Sequence, residues 1–221
     1  YDYNKPSKWQ DAADAAKAVI DMVGARDLIA VSDAAEYQSL FLSPNQDILF
    51  ARPFGSELYD FGADANSLWD KTQSPNGFDG WALSSPTHNF ALQFNMADGT
   101  GTTNGTYDPA NPNTGREMRY YADLLFQGAD FRGRSIDYAL AADVSESCPH
   151  GLDSPEGLGN TQHSSKTGYN IRKFQDESVE VGGGISPNRP FILYRLSEMY
   201  LNLAEAQFQA GNESAALAAL N

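Results

Sequence analysis

Apolar positions recur every three or four residues near both ends of the chain and lose that rhythm in between. Trp9, Ala12, Ala13, Ala16, Val19, Ile20 and Val23 fall on one helical face ahead of Gly24. Ser7 with Gln10 three residues later has the form of a capping box, so a first helix is predicted there. Asp33 is placed to cap a shorter helix through Tyr37, Leu40 and Phe41, which Pro44 closes. Ile48 to Ala51, just before Arg52-Pro53, predicts a brief extended segment. At the far end Ile192, Leu196, Met199, Tyr200, Leu203 and Ala206 line one face, Gly211-Asn212 supplies a C-cap and a new N-cap, and another helix begins at Glu213. Ala204, Ala206, Ala215 and Ala216 flank that turn. Small residues let two antiparallel helices pack closely, so a tetratricopeptide-like hairpin is predicted from about Pro190 to Leu220. The alanine-rich face of the first helix predicts a second hairpin whose partner helix lies upstream of Tyr1.

Between these helical ends, Gly55 to Gly115 is rich in Gly, Asn, Asp, Ser and Pro with aromatics at no regular period, the composition of long ordered loops. Tyr120 to Phe126 is a short apolar segment, and Ser145 to Gly168, with Cys148, His150 and His163, is again turn-rich. The fold class expected is mainly α: helical hairpins decorated with long loops and a few short strands. One domain over 1–221 is expected, helical over 1–43, loop-rich over 44–187 and a helical hairpin over 188–221. Tyr1-Asp2-Tyr3 shows no leader pattern, and the last residues stop inside an alanine-rich helical pattern, so the chain reads as a fragment whose N-terminal part is absent.

Composition narrows the function classes. With 41% hydrophobic and 12% aromatic residues the chain can bury a core. Its 29 acidic and 15 basic residues give a charge of −14 with no Lys/Arg cluster, which would repel phosphate backbones and excludes nucleic-acid binding. A single cysteine, Cys148, allows neither an intrachain disulfide nor a cysteine-built zinc site. Apolar runs such as Phe191-Ile192-Leu193-Tyr194 fall far short of the roughly 18 residues a membrane span needs. His88, His150 and His163 lack metal-ligand spacing. Asp98-Gly99 and Asp108 to Asn113 offer oxygens to calcium without the alternating ligands of an EF-hand loop. Gly182-Gly183-Gly184 lacks the Lys-Ser/Thr of a phosphate loop. No metal and no cofactor are expected. With so many carboxylates no pair is singled out for hydrolysis, and an enzyme is not expected.

One run carries a resemblance. Asn188-Arg189-Pro190-Phe191-Ile192-Leu193-Tyr194-Arg195-Leu196-Ser197-Glu198-Met199-Tyr200-Leu201-Asn202-Leu203-Ala204-Glu205-Ala206, followed by Gly211 and Ala216-Leu217, resembles the C-terminal signature of the SusD/RagB family. Asp47-Ile48-Leu49-Phe50-Ala51-Arg52, Pro86 to Gly99, and Lys166-Thr167-Gly168-Tyr169-Asn170-Ile171-Arg172-Lys173-Phe174 resemble further segments of that family, in the same order. Arg116-Glu117-Met118-Arg119 departs from its usual Arg-Asp-Pro-Arg. The resemblance implies an outer-membrane, surface-exposed lipoprotein that binds oligosaccharides or other nutrients without catalysis. It further implies delivery of that nutrient to a SusC-like TonB-dependent transporter. The lipid-bearing cysteine would lie outside this chain, so Cys148 is not the anchor.

Sugars are held by aromatic faces against their C–H surfaces, with Asn, Asp and Gln bonding the hydroxyls. Leu58 to Trp81 holds that inventory: Tyr59, Trp69, Phe78 and Trp81 with Asp60, Asp64, Asn66, Asp70, Asn76 and Asp79. The expected ligand-binding set is Trp69 and Trp81 assisted by Asn76 and Asp79, in a shallow platform. The plainer reading of either tryptophan is an anchor that fixes a long loop to the core, and Trp9 reads as core packing on the first helix. A helical-repeat module that binds another protein is the alternative function.

Overall fold

The computed structural model of the chain describes residues 5–24, 26–52, 67–140, 150–157, 163–178, 181 and 190–220. In chain order the elements are α1 (Pro6–Val23), α2 (Ala34–Ser39), β1 (Ile48–Arg52), α3 (Ser67–Gln73), a 3-10 turn (Asn76–Phe78), α4 (His88–Ala91), α5 (Met118–Asp123), β2 (Leu124–Leu125), β3 (Asp130–Phe131), β4 (Arg134–Ser135), β5 (Asn170–Ile171), β6 (Phe191–Arg195), α6 (Leu196–Gln209) and α7 (Glu213–Leu220). The fold is mainly helical with a few short strands, as expected. Contacts divide the chain into two compact units, one of Tyr1–Ala30, Pro44–Arg52 and Pro190–Asn221, the other of Val31–Ser43 and Pro53–Arg189. Tyr59, Asp60, Asp64, Asn66, Cys148 and Gly182 to Gly184, all singled out above, lie outside the described residues.

In the first unit α1 packs on α6 and α6 on α7. Ala13 and Ala16 of α1, Ala204 and Ala206 of α6 and Ala216 of α7 are buried, so small side chains sit where these helices meet. Asn212, in the α6–α7 turn, donates to Gln10 near the start of α1 (3.4 Å). The alanine face of α1 meets α6. Trp9 is half-buried in the groove between α1 and α6, beside Ala12, Met199 and Ala206. Gly211 has φ +88°, a left-handed turn conformation that suits glycine, and it reverses the chain between α6 and α7.

Two element boundaries differ from the sequence reading. α1 begins at Pro6, whose missing N–H costs nothing in a first turn, so Ser7 lies inside the helix and not at its cap. Ile192 belongs to β6, not to the hairpin: Phe191 to Arg195 pairs antiparallel with β1, with Arg52 opposite Phe191 and Ile48 opposite Arg195. The run Phe-Ile-Leu-Tyr holds two aromatics and a β-branched residue, and strand pairing outweighs its fit to the helical period. Asp47 joins the two elements. Its carboxylate accepts from the Ser197 backbone N–H (2.9 Å), the Ser197 hydroxyl (3.1 Å) and the Arg195 guanidinium (2.9 Å), so the first turn of α6 is capped from β1's leading residue.

The second unit is built of helices too short to persist alone, tied by side chains to distant backbone. α2 forms as predicted, with the Asp33 carboxylate accepting from Glu36 N–H. One apolar cluster joins Ala91, Tyr120, Leu124 and Tyr169 and another joins Leu125, Ala129, Phe131 and Ile136, with Phe126 packed against both. Tyr120 to Phe126, read as one apolar segment, is the end of α5 running directly into β2. Arg116 is buried among carbonyls, donating to Ala91 O (2.6 Å), Phe94 O (2.8 Å) and Pro112 O (2.8 Å) with its guanidinium 4.3 Å from the Tyr120 ring centre.

Candidate functional site

Four separate segments of the second unit converge on a cleft of about 500 Å³, within the range of small-ligand pockets. Its lining comprises Trp69 from α3, Ser84, Ser85 and Pro86, Phe90 from α4, Asp123 and Leu124 at the α5–β2 junction, and Ile171, Lys173 and Phe174 at and after β5.

Local bonding explains the convergence. β2 pairs antiparallel with β5, Leu124 opposite Ile171, and the Asp123 carbonyl then accepts from Arg172 N–H (2.9 Å). This sets Asp123 beside Lys173. Ser74 at the end of α3 donates to Gln175 Oε1 (2.6 Å), and Asp70 accepts from Asp176 N–H (2.9 Å) and from Arg132 (3.2 Å), so α3 is fastened to the chain just past Phe174. Trp69 meets Phe174 edge to face, ring centres 5.9 Å apart. The 84–86 segment is held by Thr167, whose hydroxyl donates to Pro86 O (2.6 Å), and by Lys166 N–H donating to Ser85 Oγ (3.1 Å).

Phe174 has φ +65°, a left-handed conformation rare for an aromatic residue and worth about 1–3 kcal/mol of strain. Lys173 and Phe174 lie in the turn after β5, and both line the cleft. Lys173 lies 3.4 Å from Asp123 Oδ2 and 4.4 Å from the centre of the Phe41 ring. Leu124 connects the cleft to the cluster of Tyr120 and Tyr169 beneath it. Burial is the chief cause that raises the Tyr120 phenol well above its ordinary pKa, and the buried Tyr138 phenol shifts the same way for the same reason.

Of the four residues expected to bind ligand, Trp69 alone is in the lining of this cleft. Trp69 stands on α3, not on a loop, and is half-buried in the cleft with its indole N–H buried and unpartnered. Trp81 stands outside the cleft's lining and lies 5.8 Å from the His163 ring at a tilt of 38°. Asn76 is 4% exposed, and its amide donates to Ser154 O (3.0 Å), so it ties the 3-10 turn to the 150–157 loop. Asp79 is exposed, left-handed at φ +60°, and paired with Lys71 at 2.6 Å. The structure does not gather these four into one platform; it sets Trp69 among Phe174, Phe90, Lys173 and Asp123 instead. Lys173 and Phe174 were within the Lys166 to Phe174 signature, but nothing in their spacing marks them as walls of a site. Among the described residues no group of three or more His, Cys, Asp or Glu side chains converges as a metal site would.

The family model described as the SusD family matches residues 46–221. No curated protein matches the sequence. Among solved structures, the chain is similar to a SusD-like protein of Bacteroides fragilis, with a TM-score of 0.69 and 21% identity over 97% of this chain and 42% of that one. It is also similar to a SusD-like carbohydrate binding protein of the same organism, with a TM-score of 0.69 and 22% identity over 92% of this chain and 37% of that one. The chain thus spans less than half the length of these structures.

Proposed function

We propose, from the premise that this chain belongs to the SusD family, that it binds oligosaccharide in the Trp69 cleft and forms part of a surface protein handing nutrient to a TonB-dependent outer-membrane transporter. The observation that carries the reading is the lining itself. Trp69, Phe90 and Phe174 offer ring surface, while Ser84, Ser85, Asp123 and Lys173 bring donors and acceptors to the same space. That combination suits a sugar, whose C–H faces stack on rings and whose hydroxyls need polar partners. No step of catalysis is assigned to it. A solved relative's description as a SusD-like carbohydrate binding protein supports the ligand class.

The test is a glycan array probed with the chain and with Trp69→Ala. Binding of a set of oligosaccharides by the parent, weakened in the variant while its circular dichroism is unchanged, is the expected result. An array on which the chain binds nothing would overturn the reading.

A second reading rests on the first unit. Leu201, Phe208, Leu217 and Leu220 are exposed along a groove of about 530 Å³ between α6 and α7. A bare apolar groove on a helical hairpin suits a protein ligand. Phe208→Glu would leave glycan binding intact and abolish that association.

A further inference from the structure

Resting on the reading that the Trp69 cleft takes a glycan, we infer that the Asp123–Lys173 pair is its polar end and restricts it to uncharged sugars, bonding hydroxyl groups and turning away uronates and sulfated residues. Among the described residues Lys173 is the cation lining the cleft, and its charge is answered by Asp123. Asp123 Oδ2 stands 3.4 Å from its ammonium, and the rings of Phe41, Tyr37 and Phe174 surround it at 4.4, 5.5 and 5.9 Å. A ligand carboxylate reaching Lys173 would therefore meet Asp123 at the same place, and like charges a few ångströms apart repel strongly in a partly desolvated cleft. A neutral hydroxyl meets no such conflict. The Asp123 carboxylate accepts from one hydroxyl and the Lys173 ammonium donates to another, so the pair serves a diol while remaining paired. The other polar groups of the lining, Ser84 and Ser85, carry no charge.

The chain's −14 charge also repels anions, but from a distance and in a way that salt screens within about 10 Å. The two causes separate experimentally. The chain is titrated by calorimetry with neutral malto-, manno- and xylo-oligosaccharides and with oligogalacturonate, at about 0.15 M and about 0.5 M salt. Alongside the wild type run Asp123→Asn, which keeps shape and removes the local negative charge, and Lys173→Gln, which keeps a donor and removes the positive one. The expected result is a neutral ligand bound at least about ten-fold more tightly than oligogalacturonate at both salt concentrations. Asp123→Asn should narrow that ratio by admitting the uronate, and Lys173→Gln should widen it. A wild type that prefers oligogalacturonate, a preference for neutral sugars that vanishes at high salt, or a ratio unmoved in both variants would each overturn the inference while leaving glycan binding standing. No heat with any oligosaccharide would overturn both.

Discussion

Arg116 shows how much one side chain can hold in a unit of short helices. It is 3% exposed, and its guanidinium serves carbonyls of residues 91, 94 and 112 while lying over Tyr120. A fork of fixed N–H groups can meet three carbonyls at once, and a lysine ammonium at the same place cannot reach them all. Arg116→Lys is expected to lower stability by about 2–3 kcal/mol, read from urea unfolding. The buried phenols give a second prediction at this scale. Tyr120 donates to Asn113 (2.6 Å) and Tyr138 to Asn170 (2.5 Å), and burial raises the pKa of each. The folded state therefore holds protons that the unfolded chain releases near pH 10. Their contribution is complete below that pH and is lost as pH rises above it. Chemical denaturation at stepped pH should show stability falling from about pH 10 upward, and less steeply in a Tyr120→Phe Tyr138→Phe double variant.

At the scale of elements, Asp47 links strand pairing to helix formation. The residue is buried, its carboxylate accepts from the Arg195 guanidinium and from the backbone N–H and hydroxyl of Ser197, and its own carbonyl accepts from Leu196 N–H (2.7 Å). Asp47→Ala removes a helix cap and the carboxylate that Arg195 pairs with, so a loss of about 1–3 kcal/mol is expected, with α6 fraying visible as faster amide exchange in residues 196–199. The elements that sequence pattern revealed are those long enough to show a period or marked by a cap: α1, α2, β1, α6 and α7. α3, α4 and α5 escaped it because seven, four and six residues complete too few turns to show a period. They are fixed by bonds such as Ser74 to Gln175, between partners 101 residues apart, which no local pattern records. The strand at Ile192 was misread for the opposite reason, since its residues satisfy both periods at once. The candidate site was legible in the same partial way: Trp69 stood out by its chemistry, whereas Phe174, Lys173 and Asp123 become its neighbours only through the pairing of β2 with β5.

For the molecule as a whole, membership of the SusD family gives the fold a context, and the cleft is the place we propose for its ligand. The cleft walls come from residues 69, 84–90, 123–124 and 171–174, so the site exists only when these separate segments are folded together. The structure parts the two tryptophans that composition had joined: Trp69 lines the cleft and Trp81 lies against His163. Binding should therefore depend on one and not the other. The most direct measurement is a calorimetric titration of the wild type, Trp69→Ala and Trp81→Ala, each verified as folded by circular dichroism, with the best oligosaccharide from the array. Loss of one stacking ring is worth about 1–2 kcal/mol, so Trp69→Ala should bind about ten-fold more weakly while Trp81→Ala binds as the wild type does. A folded Trp69→Ala that keeps full affinity, with the loss appearing in Trp81→Ala instead, would contradict the assignment of the cleft.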